Sequence, residues 1–147
     1  RLERLSSSPT VLVDAAHWAL GGRALAAAIT SEFDFKRLVA VVAMLDGKDA
    51  DAFLAALEPV VEEVVVTRAA SPRAMDLDEL TRVAEERFTA QRVHVVDSLP
   101  EALSAALDLV GVPDPTAAAD VSGVGALATG PVVTAGAARD LFGKDAQ

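Results

Sequence analysis

The chain has 147 residues, 52% of them hydrophobic, and a formal net charge of −9; that is one domain's length, with apolar material for a core. It has no Cys, which excludes disulfides, zinc–thiolate sites and a thiol nucleophile. The acidic balance and the 4% aromatic content argue against nucleic acid and anionic membranes as partners. No apolar run reaches the roughly 18 residues of a membrane span. No secretory leader is expected, and a cytoplasmic setting is. The chain opens on Arg1 without a Met, so a fragment or processed product is expected.

Arg1 to Leu5 alternates polar and apolar residues. With Ser6 to Pro9 as a turn, it is expected to form a hairpin with Val11 to Val13, as an antiparallel edge strand. Thr10 to Gly22 reads T-V-L-V-D-A-A-H-W-A-L-G-G. A β-branched run followed by a polar turn and a helix is how open α/β sheets build ligand crevices. Asp14 can accept hydrogen bonds from a ribose or help hold a magnesium shell, and His17 can donate to a phosphate oxygen. Two plainer roles stay open: Asp14 as a cap or turn former, and His17 as a packed side chain. Trp18 reads as a packing residue at a helix start.

A helix is expected from Leu20 to Ser31. Arg37 to Leu45 is a continuous apolar run, the mark of a strand buried on both faces. Asp46 to Asp49 is a turn, with Asp49 placed to cap a helix over Ala50–Leu57 that Pro59 stops. Glu63 to Thr67 is a further central strand, and Arg68 to Met75 a loop. Asp76 to Phe88 has helical spacing, with Asp76 and Glu79 set as in a capping box. Arg92 to Val96 is a strand, with His94 on one face and without an assigned role. Ser98 to Val110 is a helix, capped by Ser98 with Pro100 in its first turn. Gly111 to Ser122 has no periodicity. Val124 to Thr129 is a last buried strand, Ala137 to Phe142 a short helix, and the tail from Gly143 frayed.

Strands thus alternate with helices. That predicts one Rossmann-like domain over residues 1–147: a mostly parallel sheet of about six strands, helices on both faces, and an antiparallel amino-terminal edge strand. No Gly-x-Gly-x-x-Gly fingerprint or phosphate loop is present, so the chain cannot cradle nucleotide phosphates in the usual way by itself.

Five short motifs, in order, resemble the carboxyl-terminal domain of the Mur ligase superfamily, most closely its folylpolyglutamate synthase and dihydrofolate synthase branch. They are Arg1-Leu2-Glu3, Asp14-Ala15-Ala16-His17, Met44-Leu45-Asp46-Gly47-Lys48-Asp49, Thr67 with Ser71-Pro72-Arg73-Ala74, and Thr129-Gly130. The resemblance implies an ATP-dependent ligase that joins L-glutamate to a folate or dihydropteroate carboxyl through an acyl phosphate. It implies that Arg1 and Asp14 contact ATP with His17 nearby, and that Lys48 and Asp49 lie at the cleft facing another domain. It also implies that Arg73, with Ser71 in its loop, holds the incoming amino acid's carboxylate, a task that suits a guanidinium fork. The partner is then an amino-terminal ATPase domain that binds most of the ATP phosphates and Mg2+. No catalytic residue and no metal ligand is expected in this domain alone, and the isolated chain is expected to be inactive. Two motifs depart from the family pattern: Trp18-Ala19 stands for Asn-Pro, and Pro131 for Ser. They favour a noncatalytic binding or assembly module of the same fold as an alternative. A cell-wall amino-acid ligase domain is the other.

Overall fold

A computed structural model describes residues 3–7, 10–14, 19–33, 35, 37–69, 71–110 and 124–129. Their strands form one six-stranded sheet in the order β1-β2-β6-β3-β4-β5. The strands are β1 (Glu3–Ser7), β2 (Thr10–Asp14), β3 (Arg37–Val42), β4 (Glu63–Val66), β5 (Val93–Val95) and β6 (Val124–Thr129). The helices are α1 (Ala19–Glu32), α2 (Ala50–Leu57), α3 (Leu77–Phe88) and α4 (Leu99–Leu109). Only β1 is antiparallel to its neighbour; β2, β6, β3, β4 and β5 are parallel.

The apolar runs explain this layering. β3 is buried from Leu38 to Val42. Leu38, Ala40 and Val42 join one core cluster, and Val39 and Val41 the other. A strand with both faces covered needs no polar alternation. The first cluster takes Leu25 and Ile29 of α1, Phe53, Leu54 and Leu57 of α2, and Leu80, Ala84 and Phe88 of α3. The second takes Leu99, Ala102, Leu103 and Ala106 of α4. The chain advances across the sheet through β3, β4 and β5, then returns from β5 to β6. Crossovers of one hand must change face when the direction reverses, which puts α4 on the side opposite α1, α2 and α3.

Three local details differ from the sequence reading. β1 runs through Ser7, so Ser6 and Ser7 pair with Val11 and Thr10 instead of turning; a register shift between Arg4 and Ser6 absorbs the extra residue. β3 ends at Val42, short of the Leu45 that its apolar run suggests, while inside α1 Gly22 is buried against Phe53 and Ala56 of α2. The strand expected from Arg92 starts at Val93, after a single 3-10 turn over Ala90–Arg92. Arg92 turns back to donate from Nε to the Glu62 carbonyl at 2.6 Å and from Nη2 to the Val61 carbonyl at 3.1 Å, while its guanidinium lies over the Phe88 ring. It thereby holds the chain where α2 gives way to β4. The expected helix over Ala137–Phe142 lies outside the described residues.

Candidate functional site

The carboxyl ends of the parallel strands lie along one edge. Asp14 pairs with Thr129, Thr129 with Val42, Val42 with Val66, and Val66 with Val95. The ladder continues beyond the strands: the Ala43 N–H donates to the Thr129 carbonyl, and the Thr67 N–H to the Val42 carbonyl. Loops leaving this edge lie where such sheets usually hold their ligands. Asp14 on β2 and the loop after β4 are three strand spacings apart, about 14 Å.

The loop after β3 and the loop after β4 are clasped together by their backbones. Leu45 pairs with Ala74 in an antiparallel bridge. The Asp46 N–H donates to the Arg73 carbonyl at 2.7 Å, and the Met75 N–H to the Met44 carbonyl at 2.9 Å. Two turns shape the tips. In the first, the Lys48 N–H closes on the Leu45 carbonyl, and Gly47 takes φ +86°, the left-handed value that position i+2 of a type II turn requires. In the second, the Ala74 N–H closes on the Ser71 carbonyl with Pro72 at position i+1. The Ser71 Oγ accepts from the Arg73 N–H at 3.1 Å.

Charge then concentrates at the tips. Lys48 and Arg73 are both exposed. Among the described residues neither side chain has an ion-pair partner. On the clasped loops these two cations, without ion-pair partners among the described residues, stand beside the exposed carboxylates of Asp46 and Asp49. An ammonium and a guanidinium there suit carboxylate or phosphate oxygens, the guanidinium in two-point fashion. The nearby Arg68 is already paired, with Asp97 at 3.4 Å. Beneath the loops Thr67 is buried, and its hydroxyl has no hydrogen-bond partner among the described residues.

Asp49 follows Lys48, and its Oδ1 accepts from the Ala52 N–H at 3.0 Å, capping α2. Asp76 caps α3 in the same way, through Glu79. Ser98 occupies the cap position of α4 without a side-chain capping bond. His94 on β5 brings Nε2 to 3.9 Å from Glu63 Oε2, a carboxylate already held by Arg37 at 2.8 Å. That cluster sits away from the carboxyl edge, at the start of β3 and β4.

The structure therefore brings together Lys48, Asp49, Ser71 and Arg73, which lie 22 or more positions apart across the two loops. Asp14 stands on the same edge, as the last residue of β2. Arg1 and His17 lie outside the described residues, as do Trp18 and Pro131. No group of three or more His, Cys, Asp or Glu able to hold a metal ion occurs among the described residues. No helix among them is long and apolar enough to cross a membrane. Sequence reasoning missed the clasp, because backbone pairing between two loops leaves no local pattern.

Comparison with known proteins gives a consistent picture. The family described as Mur ligase, glutamate ligase domain, matches residues 1–119. A dihydrofolate synthase/folylpolyglutamate synthase of Mycobacterium tuberculosis is 51% identical over 150 residues, covering 100% of this chain and 31% of that protein. The crystal structure of the M. tuberculosis folylpolyglutamate synthase complexed with ADP and AMPPCP superposes with a TM-score of 0.87 at 50% identity, over 97% of this chain and 32% of that one. A bifunctional folylpolyglutamate synthase/dihydrofolate synthase of Yersinia pestis shares the fold, with a TM-score of 0.74 at 20% identity, over 96% of this chain and 30% of that one. The chain thus spans about a third of the length of the relatives it matches.

Proposed function

We propose, since this chain belongs to the Mur ligase family as its glutamate ligase domain, that it is the carboxyl-terminal part of an ATP-dependent folylpolyglutamate and dihydrofolate synthase. The whole enzyme adds L-glutamate to a folate or dihydropteroate carboxyl. ATP supplies the phosphoryl group that makes this carboxyl reactive as an acyl phosphate. The chain's own part is to hold and aim. Lys48 and Arg73 take the carboxylates of the incoming glutamate, with Asp49 and Ser71 beside them in the same loops. Fixing both carboxylates leaves the amine as the free end, directed at the activated carboxyl. Asp14, with Arg1 and His17, approaches the nucleotide from the strand end, while the phosphates and Mg2+ belong mainly to an amino-terminal domain in the same cytoplasmic enzyme.

The observation that carries this reading is the clasp, which presents two cations without ion-pair partners among the described residues at the carboxyl edge of the sheet. The chain has no phosphate loop of its own, so the reading separates cleanly from a self-sufficient nucleotide-binding protein. The test is ATP titration and a ligase assay on the 147-residue chain and on the full-length protein. Full-length protein should form the glutamylated product, and the chain alone should not. The chain should bind ATP more weakly than micromolar. A tighter dissociation constant, or a full-length protein inert toward folate, dihydropteroate and glutamate, would contradict the proposal.

A further inference from the structure

We propose that Asp49 and Ser71 serve glutamate binding as positioning residues, acting through the backbone, while Lys48 and Arg73 alone touch the substrate. The inference rests on the reading above and refines it. Each of the two cations is followed or preceded by an oxygen-bearing side chain that is already engaged. The Asp49 carboxylate takes the Ala52 N–H at 3.0 Å, an orphan donor of α2's first turn. The Asp49 carbonyl and the Lys48 carbonyl also accept, from Phe53 and Ala50. Lys48 therefore directly precedes the cap residue that pins the start of α2.

Ser71 does the equivalent work for Arg73. Its Oγ takes the Arg73 N–H at 3.1 Å, while its carbonyl takes the Ala74 N–H at 3.1 Å. One residue thus fixes both amides that follow Pro72. The Arg73 carbonyl in turn accepts from the Asp46 N–H at 2.7 Å. A continuous set of backbone bonds runs from the Ser71 hydroxyl through Arg73 and Asp46 to the Lys48 turn. The spacing between the two cations is set by this set of bonds, because neither long side chain has a partner of its own among the described residues. Loosening either anchor blurs the distance that a dicarboxylate must match.

The experiment uses full-length enzyme and steady-state kinetics with glutamate and ATP varied separately. Asn caps helices as well as Asp but carries no charge. Asp49→Asn should keep the glutamate KM within about twofold of wild type, whereas Asp49→Ala should raise it about tenfold with the ATP KM unchanged. Ser71→Thr should likewise rescue what Ser71→Ala loses. Thermal melting of each variant checks that the fold persists, and the Asn and Thr variants keep the test valid if an Ala variant fails to fold. Asp49→Asn as damaging as Asp49→Ala would show a direct contact by the charge and overturn the inference alone. Asp49→Ala with an unchanged glutamate KM would also overturn it. Arg73→Ala with an unchanged glutamate KM would overturn the underlying substrate reading, and this inference with it.

Discussion

Replacing Gly22 with Ala puts a methyl group where α1 leaves no room for one. Its Cβ would lie 2.9 Å from Phe53 Cδ1, 3.3 Å from Ala56 Cβ and 3.3 Å from the Phe53 carbonyl oxygen. Phe53 is fully buried, so its ring has no open side to swing into. Two gains favour the substitution. Ala is better than Gly in a helix by about 1 kcal/mol, and a buried methyl adds about 0.8 kcal/mol. Against them stands overpacking, which costs about 1–3 kcal/mol. The 2.9 Å contact lies well inside the repulsive wall, so the upper end applies. The net loss is then about 1 kcal/mol, or a drop in Tm of about 3 °C for a chain of this size. Gly22→Val, with two further methyls at the same contact, should cost about 3 kcal/mol. Thermal and urea unfolding of the chain, followed by far-ultraviolet circular dichroism, measures both. A Gly22→Ala chain that melts several degrees higher than wild type would show that propensity acts unopposed and that α1 does not approach α2 this closely.

Arg92→Ala removes the donors to the Glu62 and Val61 carbonyls and the contact over Phe88. It should cost about 2–3 kcal/mol in urea unfolding, with Arg92→Lys recovering less than half; a wild-type midpoint would mean these carbonyls are solvated without loss. Thr89 has φ +70° and ψ +152°, a region that suits Gly. Thr89→Gly should therefore raise the unfolding free energy by about 1 kcal/mol, and a lowered Tm would contradict the backbone assignment. Asp51 takes two bonds from Arg87, at 2.8 and 2.6 Å, and that bonding holds its carboxyl below the ordinary value of 3.8. A carboxyl whose pKa is depressed on folding contributes stability above its unfolded value and loses it as pH falls through the folded value. The Tm difference between wild type and Asp51→Asn should thus be present at pH 7 and shrink as pH falls from about 4 through the lower folded value; a difference as large at pH 2 as at pH 7 would refute the linkage. The same difference should shrink in high salt, since both groups are exposed.

Local chemistry made much of this fold legible. The apolar run from Arg37 to Leu45 marks a strand covered on both faces; the strand ends at Val42, and Leu38 to Val42 are buried on both. Asp49 and Asp76 announce the starts of α2 and α3 because a short carboxylate can reach an orphan amide two or three residues on. The motifs around Lys48 and Arg73 mark two loops of interest in advance. What stayed hidden is nonlocal. The pairing of Leu45 with Ala74 joins residues 29 apart, and nothing in either loop's composition encodes it. Arg92 reads as the start of a strand by its neighbours, yet its side chain follows carbonyls 30 and 31 positions back. Gly22 falls inside the helix expected from Leu20, but nothing local shows that its missing side chain lets α2 approach.

The central claim is that this chain contributes a glutamate-holding fork to a reaction whose nucleotide chemistry is powered elsewhere. Steady-state kinetics of full-length Arg73→Ala, with glutamate and ATP varied independently, tests it most directly. The account predicts a glutamate KM raised at least about tenfold with the ATP KM within about twofold of wild type. An unchanged glutamate KM, or equal rises for both substrates, would contradict it.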